Sequence, residues 1–159
     1  MTMLVGFGYD VHRLVPGRPL VLGGVRIPYE LGLDGHSDAD VIIHALMDAL
    51  LGAAGLGDIG QQFPNTDPAY AGADSLELLR RVVALLAAEG YRPVNCDITL
   101  LAERPKIGSH VGQMRERISA VLGVDPRRVG IKATTNERMG FVGREEGMAA
   151  YAVALIAEA

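Results

Sequence analysis

The most regular alternation of apolar and polar side chains runs through residues 94–101, where every second side chain from Val94 to Leu100 is apolar. A period of two is typical of a half-buried strand. Three other segments have strand character: residues 3–10, 20–27 and 128–134. The alanine-rich tail, residues 147–157, has a composition that favours a helix, but it lacks a polar face at helical spacing. We therefore predict a buried strand there.

Apolar residues at intervals of three and four predict three helices: residues 37–51, 75–89 and 109–122. The first opens on Ser37 with Asp40 three positions later, which is a signature of a helix start. Asp74 is a suitable N-cap and Gly90 a suitable stop for the second. Glycines in residues 52–60 and prolines around residues 64–68 predict loops. Strands that alternate with helices indicate an α/β or α+β two-layer fold.

Length and composition restrict the class of protein. At 159 residues the chain suits a single domain, which we expect to span residues 1–159. Its net charge of −4 argues against general binding to nucleic acid. The sequence lacks the run of about 18 uncharged apolar residues that a membrane span needs, and its N-terminus lacks the pattern of a secretory signal. The one cysteine, Cys96, cannot build a disulfide framework, so we expect a cytoplasmic protein.

Histidines and carboxylates form the most informative cluster. Asp10 and His12 are two positions apart at a predicted strand end, so their side chains share a face. Four further residues recur at intervals of four, which would line them along one side of the first helix: His36, Asp40, His44 and Asp48. One interpretation is a solvated helix face on which Asp40 pairs with His44. The other is a zinc site made of Asp10, His12 and His44, with Asp40 or Asp48 orienting His44.

Two later segments contain groups that suit phosphate. Thr134 and Thr135 follow a predicted strand and can donate to phosphate oxygens, although threonines are also ordinary strand residues. Glu137 could hold a second, hard cation such as Mg²⁺. Arg144, between glycines, is a candidate diphosphate contact. The sequence has neither a Walker-type phosphate loop nor a nucleophile elbow of the hydrolase type.

Together the segments resemble the 2-C-methyl-D-erythritol 2,4-cyclodiphosphate synthase family of the non-mevalonate isoprenoid pathway. The motifs occur in collinear order over nearly the whole chain: GYDVHRL, LGGVRIPYELGLDGHSDADVIIHALMDALLGAAGLGDIG, FPNTDP, GADSLELL, ERPKIG and KATTNERMGFVGREEG. The long run that contains HSDADVIIHALMDALLGAAGLGDIG is the most specific of them.

The resemblance implies a lyase that cyclises 4-diphosphocytidyl-2-C-methyl-D-erythritol 2-phosphate and releases CMP. It implies Zn²⁺ on Asp10, His12 and His44, and Mg²⁺ or Mn²⁺ bridging the substrate diphosphate and held by Glu137. His36 and Thr135 match residues that stabilise the transition state in the family. The family is a homotrimer around a three-fold axis, with a mixed β-sheet, helices on one face and active sites between subunits.

Substrate-contacting positions carry over from the family residue by residue. They are Asp10, Val11, His12, His36, Ser37, Asp58, Ile59, Gly60, Phe63, Pro64, Asn65, Thr66, Asp67, Ala102, Lys106, Ile107, Gly108, Ala133, Thr134, Thr135, Glu137, Phe141 and Arg144. The segment from Ala102 to Gly108, together with Ala133 and Thr134, matches the cytidine pocket, whereas Phe141 and Arg144 match positions near the three-fold axis. The chain departs from the usual pattern at four positions: Asn65, Asn136, Arg138 and Glu145. Glu145 adds negative charge near an anion site.

Two other functions share these features. A zinc hydrolase would use the same three ligands to activate water against a phosphate ester or an amide. A trimer that only binds isoprenoid diphosphates would need no catalytic metal. His110 and Cys96 receive no functional role; we expect Cys96 to be a buried apolar thiol.

Overall fold

The fold combines one five-stranded sheet, a two-stranded hairpin and a layer of helices. The computed structural model describes residues 2–159, so Met1 of the predicted 1–159 domain lies outside the described residues. The strands are β1 (Met3–Pro16), β2 (Leu20–Leu22), β3 (Val25–Ile27), β4 (Leu31–Leu33), β5 (Tyr91–Leu101), β6 (Val129–Thr134) and β7 (Gly147–Glu158). The helices are α1 (Val41–Ala53), α2 (Ile59–Gln62), α3 (Ser75–Ala88), α4 (Val111–Leu122) and α5 (Gly140–Gly143).

The large sheet is mixed, with the strand order β4-β1-β7-β5-β6. Only β5 and β6 pair in parallel, while β1 with β4, β1 with β7 and β5 with β7 are antiparallel. The tail predicted as a strand is β7, the middle strand of the sheet. Its alternate alanines, Ala150, Ala152 and Ala154, are buried, which explains why the segment is apolar without a helical pattern.

Helix α1 packs directly on the backbone of β1. A Cβ atom built on Gly6 would lie 1.8 Å from the carbonyl oxygen of Ala49, and one on Gly8 would lie 2.0 Å from that of Ala45. Only glycine permits this approach. The helices cover this face of the sheet, as the resemblance implied, and the large apolar side chains of the opposite face are exposed.

Three segments differ from the sequence prediction. Strand β1 continues to Pro16, so Asp10 and His12 lie within the strand and not at its end. Residues 20–27 form a hairpin, β2–β3, because Gly23 and Gly24 adopt positive φ angles of 60° and 75°. Helix α1 begins at Val41 and not at residue 37, because the φ angle of Ala39 is 57°, a left-handed conformation incompatible with a helix.

The other predicted elements agree with the observed ones to within a few residues, whereas β4, α2 and α5 were not predicted. Asp74 caps α3 and accepts a hydrogen bond from the backbone N–H of Leu76. Residues 64–68 lead into a short 3₁₀ turn, Pro68–Tyr70, that Asp67 caps. Among residues 2–159, every helix is too short or too polar to cross a bilayer.

Candidate active site

Three side chains from β1 and α1 converge on one point. Asp10 and His12 project from the helix-covered face of β1, and His44 projects from α1 towards them. Asp10 Oδ2 lies 2.8 Å from His12 Nε2 and 3.2 Å from His44 Nδ1, and the two nitrogens are 3.4 Å apart. The close contact between α1 and the glycines of β1 makes this convergence possible.

Neighbouring groups shift the pKa values of Asp10 and His12 and determine which nitrogen of His12 carries the hydrogen. Burial works to raise the pKa of Asp10, but the His12 and His44 imidazoles beside it lower that pKa below its ordinary value. Burial works to lower the pKa of His12, but Asp10 raises it above its ordinary value. His12 Nδ1 lies 2.8 Å from the carbonyl oxygen of Asp34 and donates to it, because a carbonyl can only accept. In the neutral imidazole, Nε2 therefore keeps its lone pair and directs it at Asp10 and His44.

The triad fits a divalent metal ion. Asp10 Oδ2 is buried and has no hydrogen-bond partner of acceptable geometry, which is costly for a carboxylate unless a cation compensates it. Ligands about 2.0–2.1 Å from a tetrahedral zinc ion lie roughly 3.3 Å from one another. The three observed separations, 2.8, 3.2 and 3.4 Å, bracket that spacing. One oxygen and two nitrogens are a donor set that zinc accepts in catalytic sites.

The partners predicted for His44 were wrong. Asp40 is fully buried and accepts from the backbone N–H groups of Gly23 and Gly24, at 2.9 and 2.7 Å, so it anchors the hairpin. Asp48 accepts from the backbone N–H of Ile59 at 2.8 Å. His44 Nε2 instead lies 3.0 Å from Ser37 Oγ and 3.1 Å from Ser75 Oγ.

A cavity of about 450 Å³ opens beside the triad. The predicted site residues that line it are Asp10, His12, His36, Ser37, His44, Ile59, Gly60, Phe63 and Asn65. His36 Nε2 lies 3.2 Å from the carbonyl oxygen of Asp67, and the ring of Phe63 packs edge-on against Tyr70. Asp58 caps α2 at the edge of this region. Pro64, Thr66 and Asp67 belong to the same loop but do not line the cavity.

The residues predicted for the cytidine pocket line a separate cavity of about 700 Å³. They are Ala102, Lys106, Ile107, Gly108, Ala133 and Thr134, and Thr135, predicted to stabilise the transition state, lines the same cavity. The parallel pairing of β5 with β6 brings the two segments together, and the backbone N–H of Ala102 donates to the carbonyl oxygen of Thr134 at 3.0 Å. One chain thus contains both the triad and the residues matched to the cytidine pocket, but these two groups line different cavities.

Glu137 lies with Thr135 and Lys106 along a third cavity, of about 560 Å³. Glu137 and Arg138 both adopt left-handed conformations, with φ angles of 52° and 61°. The carboxylate of Glu103 stabilises this bend, since it accepts from the backbone N–H groups of Asn136 at 2.6 Å and Arg138 at 3.2 Å. Glu103 was missed, because no local pattern links it to a loop more than thirty residues away.

The remaining predicted positions lie outside these three cavities. Val11 is on the sheet face opposite to Asp10 and His12 and, with Phe141, lines a small cavity of about 250 Å³. Arg144 pairs with Glu146 at 2.9 Å. The carboxylate of Glu145, expected to add negative charge near an anion site, pairs with the guanidinium of Arg104, which lowers the pKa of Glu145 below its ordinary value.

Comparison with known proteins places these features in a family. Residues 3–157 match the sequence model of the YgbB family. A relative from Symbiobacterium thermophilum, named 2-C-methyl-D-erythritol 2,4-cyclodiphosphate synthase, is 83% identical over 155 residues, which cover 98% of this chain and 99% of the relative. The bifunctional IspDF of Campylobacter jejuni superposes with a TM-score of 0.95 at 42% identity, over 99% of this chain and 43% of that chain. A solved 2C-methyl-D-erythritol-2,4-cyclodiphosphate synthase in a CDP-bound form superposes with a TM-score of 0.88 at 39% identity, over 96% of this chain and 99% of that chain.

Proposed function

The chain belongs to the YgbB family, and on that premise we propose that it converts 4-diphosphocytidyl-2-C-methyl-D-erythritol 2-phosphate to 2-C-methyl-D-erythritol 2,4-cyclodiphosphate and CMP. This is a phosphorus–oxygen lyase reaction of the non-mevalonate route to isoprenoid precursors. One observation carries the proposal: Asp10, His12 and His44 converge beside a cavity that also exposes His36.

The proposed reaction is an intramolecular phosphoryl transfer. An oxygen of the 2-phosphate attacks the β-phosphorus, the bond from that phosphorus to the oxygen of the α-phosphate breaks, and CMP leaves with that oxygen. Water is not consumed. Both reacting groups are anions, so charge repulsion and the entropy of ring closure dominate the barrier. Positioning and neutralisation of charge are the means by which a protein lowers such a barrier.

The residues divide this work between them. Asp10, His12 and His44 would hold a divalent ion, for which zinc is the best fit, and that ion supplies Lewis-acid polarisation of phosphate oxygens when bound. Glu137 would hold Mg²⁺ or Mn²⁺. His36 lines the cavity, and because its Nε2 donates to the carbonyl oxygen of Asp67, it would donate to a phosphate oxygen from Nδ1 of the protonated ring. Thr135 Oγ1 accepts from the backbone N–H of Glu137 at 3.3 Å, which leaves its hydroxyl hydrogen free to donate to the substrate.

We call the triad and the predicted cytidine pocket the two half-sites of the active site. A trimer would bring them together. The triad and the predicted cytidine residues line separate cavities in one chain, of about 450 and 700 Å³. The uncovered sheet face is apolar, as expected of a surface that another subunit covers. We propose a homotrimer in which the triad of one subunit faces the cytidine pocket of its neighbour. We also propose a cytoplasmic location, because the single cysteine is a free, buried thiol.

Phosphorus NMR of the authentic substrate with purified protein tests the proposal. We expect the resonances of a cyclic diphosphate and of CMP to appear together, and a chelator to abolish both until zinc is restored. A protein that leaves the substrate unchanged in the presence of zinc and magnesium would contradict the assignment.

Two further measurements, oxygen incorporation from labelled water and ligand binding by His44→Ala, distinguish the two alternative functions. A zinc hydrolase would release an open-chain phosphate and incorporate oxygen from labelled water, whereas the cyclisation incorporates none. A protein that only binds isoprenoid diphosphates would keep that binding after His44→Ala. In the proposed enzyme, His44→Ala removes a metal ligand, so we expect turnover to fall below detection.

A further inference from the structure

The far side of the His44 ring faces a buried relay of two further side chains. His44 Nε2 lies 3.1 Å from Ser75 Oγ, and Ser75 in turn donates its hydroxyl hydrogen to Asp38 Oδ1. The backbone N–H of Ser75 donates to Asp38 Oδ2 at 2.9 Å. Ser75 is completely buried and His44 is 7% exposed, so water does not substitute for these partners.

The direction of each hydrogen bond follows from the donors available. Asp38 is a carboxylate that accepts two hydrogens from Ser75, so the Ser75 hydroxyl hydrogen is committed to it. The lone pairs of Ser75 Oγ can then only accept, and the sole group facing them across 3.1 Å is the His44 ring nitrogen. A hydrogen on Nε2 satisfies this contact, whereas a lone pair on Nε2 would face another lone pair.

Ser37 does not impose the same choice. Its oxygen accepts from the backbone N–H of Ala39 at 3.2 Å, and its own hydroxyl hydrogen is uncommitted. It can therefore accept from a protonated Nε2 of His44 or donate to an unprotonated one. Of the two serines that contact His44, only Ser75 distinguishes the two tautomers.

We propose that Ser75 and Asp38 are positioning residues that keep the hydrogen of His44 on Nε2, so that Nδ1 presents its lone pair to the metal. In the competing tautomer, the hydrogen on Nδ1 would point at Asp10 Oδ2, 3.2 Å away. Nδ1 would then have no lone pair to offer the metal. Outer partners of this kind commonly change metal affinity by about 10–100-fold. The inference rests on the metal at the triad that forms part of the proposed function.

Zinc affinity provides the first test. We would titrate the metal-free full chain with zinc against a chromophoric chelator, for the wild type, Ser75→Ala and a matched control, Ser119→Ala. Ser119 is also buried, but its hydroxyl donates to the carbonyl of Glu116 in its own helix α4. We expect Ser75→Ala to weaken zinc binding by about 10-fold or more and Ser119→Ala to leave it within about twofold.

Nitrogen-15 NMR of the histidines in the metal-free protein provides a second test, which a purely structural role of Ser75 would not affect. We expect the wild type to carry the His44 hydrogen on Nε2, and Ser75→Ala to shift the population towards Nδ1. If Ser75→Ala does not fold, Asp38→Ala serves instead. This variant removes both oxygens that accept from Ser75, so the Ser75 hydroxyl hydrogen becomes free to donate to His44 Nε2 and we expect the same two changes in the same direction.

The outcomes separate this inference from the proposed function. A wild type that binds no zinc would contradict the metal site itself. A wild type that binds zinc, with Ser75→Ala and Asp38→Ala folded and unchanged in both affinity and tautomer, would overturn only the positioning role.

Discussion

Arg18 lies between β1 and β2 and binds the loop that bears His36. Its Nε donates to the carbonyl of Leu33 at 2.7 Å, and its two terminal nitrogens donate to Gly35 at 3.1 Å and Ser37 at 2.9 Å. These carbonyls lie before and on either side of His36. A planar fork of donors can reach all three at once, whereas an ammonium group is a single point of contact.

We therefore expect Arg18→Lys to misplace His36 and Ser37 without removing the metal. Turnover should fall by about 10–100-fold, since misplacement by about 1 Å can cost 10²-fold, while zinc content stays at one per chain because the ligands lie on β1 and α1. Steady-state kinetics and metal analysis measure the two effects. Arg26→Lys is the control, because Arg26 is an exposed residue of β3. Unchanged turnover in Arg18→Lys would show that the loop does not need this contact.

Cys96 provides a second test at the scale of single residues. The side chain is 3% exposed, and burial, with a smaller contribution from Asp97, raises the pKa of the thiol to about 12. Because only the thiolate reacts, we expect no labelling by Ellman's reagent at pH 8 in the native protein. One thiol per chain should react after unfolding in guanidinium. Rapid labelling of the folded protein would contradict the burial.

Single residues also show where sequence reasoning stopped. It identified Asp10, His12 and His44 by residue type and by the interval of two on a strand. It paired His44 with Asp40 because four positions separate them, and this was wrong, since Asp40 precedes α1 and binds the hairpin. The side chains that contact His44 Nε2 are Ser37 and Ser75, and Ser75 is thirty-one positions away. Such contacts depend on how α1 and α3 pack, and no local pattern contains that information.

At the scale of elements, the site depends on the distance between β1 and α1. The carbonyl oxygens of Ala45 and Ala49 occupy the space in which side chains at Gly8 and Gly6 would lie. Because those atoms belong to the backbone of α1, they cannot move aside singly. A methyl group at either glycine must push the whole helix, and His44 with it, away from the strand.

We expect Gly8→Ala to abolish zinc binding and to lower the free energy of unfolding by about 3 kcal/mol, at the upper end of overpacking costs. The matched control is Gly52→Ala. Gly52 is an exposed residue of α1, and a Cβ there meets nothing within 4 Å, so alanine should stabilise the protein by about 0.5–1 kcal/mol. Urea unfolding and zinc titration measure both variants. Normal zinc affinity in Gly8→Ala would contradict the role of this contact.

The elements themselves were largely predictable, whereas their ends were not. The caps of α3 and the alternation from Cys96 to Leu100 appear as expected, but a bulge between Pro93 and Asn95 leaves Val94 only half-buried. The predicted start of α1 at residue 37 was wrong, because Ala39 is left-handed and Asp40, which follows it, is the N-cap that accepts from the backbone N–H of Ile43. The carboxylate of Asp40 also accepts from the backbone N–H groups of Gly23 and Gly24, which are distant in sequence. Local propensity therefore identified the helix, and tertiary contacts decided where it begins.

At the scale of the whole molecule, one face of the sheet is left uncovered by residues 2–159. Phe7 is 62% exposed and Val153 is 45% exposed, and the rings of Phe7 and Tyr9 pack against that of Tyr151. A monomer seldom leaves so continuous an apolar surface in water. The sequence could predict that these residues alternate along strands, but an amphipathic pattern does not specify whether helices or another subunit cover each face.

The proposed trimer predicts that a charge on this face separates assembly from metal binding. We expect the wild type to sediment at three times the 16.9 kDa of the chain and Phe7→Asp at the mass of one chain, because an unpaired carboxylate is costly to bury in an interface. Turnover should disappear in Phe7→Asp, since the half-sites no longer meet, while zinc affinity stays near that of the wild type because the triad lies on the opposite face. Ala120→Asp, on the exposed side of α4, adds the same charge and should remain trimeric and active. Full turnover by a monomeric Phe7→Asp would contradict the idea that the active site lies between subunits, because one chain would then suffice to bind both ends of the substrate.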